Sequence, residues 1–184
     1  GILKVDKYQD FNGNDIMTSD GSGNITLNNA ALKMTPAFAA RMSADQTVSN
    51  AVTTKVQYDT EDFDTDNAYD NVTNYRFTVP SGQAGKYFIY ATLSGGDPST
   101  TDHDRTMIEF YKNGSRISST VTDTRNMSGG GYFYTAHVHL TLDLSVGDYL
   151  EVFGMIIAGS GTRQFHNFSV SHSNVFGAYK LIGA

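Results

Sequence analysis

Four groups of residues have types and spacings that could carry chemistry. The first is acidic: Asp62, Asp64, Asp66 and Asp70 fall in the run Asp62-Phe63-Asp64-Thr65-Asp66-Asn67-Ala68-Tyr69-Asp70. Carboxylates at that spacing resemble the start of a Ca²⁺ loop. The run lacks the glycine such a loop wants at its sixth position, and Thr73 stands where its closing glutamate would be. Ca²⁺ is therefore the one cofactor the sequence suggests, set against a plain solvated acidic loop over Asp59–Asp70. The second group is His137 and His139, two positions apart on one strand face as a two-histidine metal pair would be. No third ligand lies nearby in sequence, so a subunit-interface pair is the preferred reading. The third is Asp102-His103-Asp104, an acid/base set on paper. It sits in a polar stretch with no nucleophile motif, which favours a turn. The fourth is aromatic: Tyr69, Tyr132 and Tyr134 could stack on sugar rings beside Asp and Asn hydrogen-bonding groups. Tyr134 reads better as a core or interface ring. The ligand-loop candidates are thus Tyr69, Asp102, His103 and Tyr132. No catalytic residue is assigned, since nothing places two carboxylates across a cleft or a nucleophile beside a base.

Composition narrows the classes. The chain has 184 residues and no cysteine, which excludes disulfides and thiolate metal sites. Gly is abundant (18) against 3 Pro, Tyr and Phe number 11 each, and Trp is absent. That balance favours an all-β fold with short strands and tight turns. The formal net charge is -6 and no basic run exists, so nucleic-acid binding has no electrostatic footprint. No apolar stretch reaches membrane-spanning length. The first residues, Gly1-Ile2-Leu3-Lys4-Val5, lack the pattern of a signal peptide. Synthesis in a cytosol is the expectation, with later exposure by assembly or lysis. Five Asn-x-Ser/Thr triplets then read as turn chemistry.

The elements that must position these residues can be read in order. Residues 1–35 form a string of short strands and tight turns, marked by Asn12-Gly13 and by Asp20-Gly21-Ser22-Gly23-Asn24. Such a segment buries little and reads as an attachment arm or stalk, with Ile2, Leu3 and Val5 as anchoring residues. A head domain spans 36–184. Its expected strands are Ala37–Met42, Val52–Tyr58, Tyr75–Val79, Lys86–Leu93, Met107–Tyr111, Ile117–Val121, Tyr132–Leu144, Tyr149–Ile157, Arg163–Val170 and Asn174–Ile182. Ser94–Asp104 is expected as a polar loop. Tyr132–Leu144 alternates, with Ala136, Val138, Leu140, Leu142 and Leu144 on one face and His137 and His139 on the other. Lys86–Leu93 carries Tyr87, Ile89 and Ala91 on one face and Phe88, Tyr90 and Thr92 on the other. One set can fill a sandwich. The other needs cover, which a neighbouring subunit would supply. The trimer-interface candidates are therefore Phe88, Tyr90, His137 and His139.

Several motifs carry a family resemblance. Tyr69, Tyr75, Phe77, Gly85-Lys86-Tyr87-Phe88-Ile89-Tyr90, Lys112-Asn113-Gly114, Leu144-Ser145-Val146-Gly147-Asp148 and Phe176-Gly177 occur in this order over about residues 36–184. Together they resemble the globular head of complement component 1q, one of the tumour-necrosis-factor-like jelly rolls. The Pro80–Gly85 turn is about two residues longer than the usual pattern, and Ile89 and Ala91 stand where aromatics are common. The resemblance implies an all-β jelly-roll sandwich, a homotrimer about a threefold axis, and a binding head without catalytic activity. The first 28 residues resemble the start of structural proteins of tailed bacteriophages, tail-fibre and appendage proteins above all. That likeness implies a virion-surface protein made in the host bacterial cytoplasm. Its arm would dock other virion proteins and its trimeric head would serve host attachment through surface glycans. Capsid decoration is the alternative, and a glycan-cleaving appendage the third reading.

Overall fold

The computed structural model describes residues 5–28, 35–127, 130–168 and 173–181. All regular structure in these residues is β. Three short strands come first: β1 (Lys7–Gln9), β2 (Asp15–Ser19) and β3 (Ile25–Leu27). They form an antiparallel meander in the order β1-β2-β3. Its two turns are built alike. The Asp10 carboxylate accepts from the backbone N–H groups of Asn12 and Asn14, both at 2.9 Å, and from the Asn14 side-chain amide at 2.9 Å. Ten residues on, Asp20 accepts from the N–H groups of Ser22 (2.7 Å) and Asn24 (3.1 Å) and from the Asn24 amide (2.6 Å). Gly13 and Gly23 take the left-handed conformation that closes each turn. Tyr8, Met17 and Leu27 line up across the meander, and no residue of its strands is fully buried. Of the anchoring residues, Val5 is exposed, while Ile2 and Leu3 lie outside the described residues.

The head begins with β4 (Ala37–Arg41), β5 (Gln46–Val48), β6 (Thr54–Lys55), β7 (Thr60–Asp64), β8 (Tyr69–Asp70) and β9 (Arg76–Thr78). The long strands follow: β10 (Gly85–Gly96), β11 (His103–Lys112), β12 (Ser115–Asp123), β13 (Phe133–Leu144) and β14 (Tyr149–Ala158). β15 (Arg163–Phe165) and β16 (Val175–Lys180) complete the head. One sheet places β10 between β13 on one side and β16, β4 and β7 on the other, with β15 and β5 joining near Gly96. The second sheet runs β12-β11-β14-β9-β8, with β6 on β14. All pairings are antiparallel, and the crossovers between sheets give the expected jelly roll.

The core lies between the sheets. Tyr87, Ile89, Ala91 and Leu93 point inward from β10, as the alternation requires, and are buried. Phe110, Leu150, Val152 and Ile156 face them from the second sheet, also buried. Phe38 is the aromatic centre, stacked on Tyr69 at 4.7 Å and Phe77 at 5.1 Å and edge-on to Phe176 at 5.0 Å. Gly154 lets the sheets close: a Cβ there would meet Leu93 Cδ2 at 2.2 Å.

Three expected elements differ. Ser94–Gly96 continue β10 instead of opening a loop, because the glycines fit where the layers touch: a Cβ on Gly95 would lie 2.9 Å from Ile156. The acidic stretch is not simply a loop, since Thr60–Asp64 is an edge strand paired with β4. Val52–Tyr58 shrinks to the two residues of β6, with Val56 and Tyr58 buried beyond it. The expected ends of the last two strands, beyond residues 168 and 181, lie outside the described residues.

Candidate functional site

The register gives the head two distinct ends. Gly85, Leu144, Lys180 and Ala37 lie at one, where Leu181 N–H bonds Lys86 C=O and Lys180 N–H bonds Pro36 C=O. Pro36, just before the first strand of the jelly roll, lies here, and this end is called the base. Gly96, Phe133, Gln164 and His103 lie at the other, with the loops at 97–102, 124–127 and 159–162. This is the tip.

The outer face of the first sheet is the larger candidate surface. Strand pairing aligns His139, Tyr90, Gly177, Ala39 and Phe63 in one row across five strands. The neighbouring row is Thr141, Phe88, Tyr179 and Ala37. Phe88 packs on Tyr179 at 5.4 Å, Tyr90 at 6.2 Å and His139 at 6.1 Å. Tyr90 lies over Gly177, where a Cβ would meet its ring at 2.4 Å. Phe88, Tyr90 and Tyr179 remain half-buried, His137 and His139 are exposed, and Phe63 is 50% exposed. The structure thus brings together the four residues expected here and adds Tyr179 and Phe63. Period-two alternation in Val175–Lys180 was the available signal for Tyr179. Phe63 was hidden by its acidic neighbours.

The ligand-loop candidates divide. Tyr132 is 51% exposed at the tip. Asp102 is exposed beside it in the loop cluster, accepting from Ser160 Oγ at 3.3 Å. Tyr69 is not in a loop at all. It is buried against Phe38, its hydroxyl donates to Tyr58 C=O at 3.0 Å, and burial pushes its phenol far up. His103 is also internal. Its ring sits between Thr124 Oγ1 (3.1 Å) and Thr106 Oγ1 (2.9 Å), 4.8 Å from the Tyr134 ring. Burial holds its imidazole below the ordinary value. These two aromatic groups support the fold, because each buried polar atom found a partner.

The acidic run is spent on local structure. Asp62 pairs with Arg41 at 2.9 Å. Asp64 accepts from the N–H of Tyr69 at 2.8 Å and of Asp66 at 3.2 Å. Asp66 accepts from Thr65 Oγ1 at 2.5 Å. Asp70 caps its turn by accepting from Thr73 N–H and the Asn74 amide, which brings its carboxyl to about 2. Among the described residues no three Asp, Glu or His side chains converge as a metal site would need.

The tip carries a cluster the sequence reading missed. The rings of Phe133 and His166 stack at 4.1 Å and 16°, and Phe168 stands edge-on to His166 at 4.4 Å. Asp45 fixes the rim, accepting from Gln164 Nε2 (2.8 Å) and Asn167 N–H (2.7 Å) and lying 3.0 Å from His166 Nδ1. These residues come from distant parts of the chain, so only the Gln-Phe-His-Asn-Phe run at 164–168 could have flagged them.

No family model matches the chain, and no curated protein matches its sequence. Solved structures do. The globular domain of zebrafish complement 1qA is similar at a TM-score of 0.54 and 14% identity, covering 79% of this chain and 97% of its own. The tumour necrosis factor Eiger from S. frugiperda is similar at 0.52 and 15%, covering 80% and 93%. The head therefore has the complement 1q and tumour-necrosis-factor jelly-roll fold. At such identities the likeness is one of fold, and the tail-fibre expectation has no counterpart in it.

Proposed function

We propose that this chain is a non-enzymatic structural protein of a tailed-phage virion: a homotrimeric surface head, docked to other virion proteins through residues 1–35, that serves host attachment. The observation that carries it is the outer-face row His139–Tyr90–Gly177–Ala39–Phe63 with Phe88 and Tyr179 beside it. A contiguous face of aromatic and small residues is what a subunit contact needs. Trimers agree with what the jelly-roll resemblance implies. The arm enters at the base, which leaves the tip loops pointing away from the attachment point, as a receptor-binding head requires. Three weak tip contacts held together would bind a host surface multivalently. The phage setting rests on the N-terminal resemblance and on the absence of cysteine.

Two measurements test this reading. Light scattering on the full chain should give three times the mass of one chain, and a monomer would refute the assembly. Imaging of the virion should place the head on tail fibres. Density on capsid faces would instead assign capsid decoration, and cleavage of host polysaccharide by the purified protein would overturn the non-enzymatic reading.

A further inference from the structure

The sheet at the start of the chain sorts its side chains by face. Register places Tyr8 opposite Met17, Met17 opposite Leu27, and Ser19 opposite Ile25. Alternate residues of a strand share a side, so Tyr8, Met17, Ile25 and Leu27 form one face. Lys7, Thr18 and Thr26 line up on the other. The register shift between Tyr8 and Gln9 brings Asp15 to that second face as well. There the Asp15 carboxylate accepts from Lys7 Nζ at 2.8 Å and from Gln9 Nε2 at 2.6 Å. The strand residues of one face are thus uncharged and largely apolar, and the other face holds the ion pair. Asp6, just before β1, lies at the margin of the apolar face, where its C=O accepts from Ser19 N–H at 2.8 Å. In the single chain this face is open: Tyr8 is 57% and Ile25 63% exposed, and Met17 and Leu27 are only half-buried. A small sheet gains stability in water by covering such a face with another layer.

Charge, tether and shape all favour copies of the same sheet as the cover. The strand residues of the face carry no charge, so like faces meet without opposing charges, and the Lys7–Asp15 pair stays outside. Residues 29–34 join the sheet to the head, a link that spans at most about 25 Å. Three heads assembled about one axis therefore keep three such sheets close together, at effective concentrations on the order of millimolar. A different protein would have to reach the face from solution. The row Tyr8–Met17–Leu27 crosses all three strands of the sheet, so three rows facing one axis close a small triangular core. We infer that residues 7–27 form a stalk, in which three copies of this sheet pack their Tyr8–Met17–Leu27 rows together about the axis of the heads. The Lys7–Asp15 face and the turns remain outward, free to meet other virion proteins. This rests on the homotrimer reading above and gives the apolar face of the arm its partner, further copies of this chain.

The chain has no cysteine, so single introduced cysteines report the packing. The full chain would carry Met17→Cys or Leu27→Cys on the apolar face, or Thr18→Cys or Thr26→Cys on the polar one, each treated with a short bismaleimide. Native mass and the head's melting temperature accompany each variant. Covalent dimers are expected for Met17→Cys and Leu27→Cys, in severalfold excess over the two threonine positions. Two positions on the apolar face guard against one substitution disturbing the sheet. Hydrogen exchange gives a second reading. Amides across residues 7–27 should be protected in the unmodified trimer and lose that protection in Met17→Asp, with trimer mass kept. Equal cross-linking on both faces, no cross-linking in a protein of trimer mass, or exchange unmoved by Met17→Asp would each overturn the stalk. In those cases the heads still assemble and the face is left for another virion protein. A monomeric mass would instead overturn the homotrimer reading, and the stalk with it.

Discussion

Single residues decide more here by what they exclude than by what they offer. His103 sits in a motif that looks like acid/base chemistry, yet two threonine hydroxyls and the Tyr134 ring enclose it. Its consequence is a pH dependence of stability. Burial lowers its folded value below the ordinary 6.5, so the unfolded chain takes up the proton first. The stability linked to the neutral ring is complete above 6.5 and falls away as pH drops toward the folded value. Thermal melts of His103→Gln should therefore show a flatter profile between about pH 7 and 5 than the unmodified chain. A profile of equal slope would contradict the assignment. Gly154 acts through its missing side chain. Leu93 and Phe165, both fully buried, leave no room for a methyl group. Gly154→Ala should cost about 1–3 kcal/mol, measured by denaturant unfolding, as overpacking does in a closed core.

At the scale of elements, the arm and the head are held by different means. The meander over residues 7–27 has strands of three to five residues and no buried position, so its turns carry much of its order. Asp10 and Asp20 each accept three hydrogen bonds in matching turns. Replacing both by Ala should raise amide exchange across residues 7–27 while leaving the head's melting transition in place. Loss of the head transition would show that the two are coupled. The repeat Asp-x-x-Gly-Asn at ten-residue spacing was present in the sequence, and its paired turn chemistry is legible once the first instance is seen. β10 shows the opposite case. Ser94-Gly95-Gly96 reads as loop by composition, but the close approach of Ile156 and of Tyr132 C=O makes glycine the residue that lets the strand continue.

For the molecule as a whole, the question is what covers the first sheet. Tyr90 lies at the middle of the uncovered face, over Gly177 and opposite His139. Its side chain is only half-buried in the single chain, so a charge there should leave the monomer folded. If the proposed trimer forms through this face, Tyr90→Lys should convert it to monomers, seen as a threefold drop in native mass with a retained β circular-dichroism spectrum. An unchanged mass would move the subunit contact elsewhere. The separation of base and tip along β10 would give the proposed assembly a direction, with the arm at one end and the tip loops at the other.

The sequence alone determined the strand character of the head, the inward and outward faces of β10 and β13, and the jelly-roll class. Those follow from period-two alternation and turn residues, which act over a few positions of chain. It also placed Phe88, Tyr90, His137 and His139 on one surface for the same reason. Only the tertiary structure decided what that surface and the tip contain. Phe63 joined the outer row by edge pairing with β4, and Tyr69 left the candidate loops because Phe38 and Phe176 pack against its ring. The tip cluster draws Asp45, Phe133 and His166 from three separate segments. Contacts between segments so far apart depend on register and packing across the whole sandwich, which no local pattern encodes.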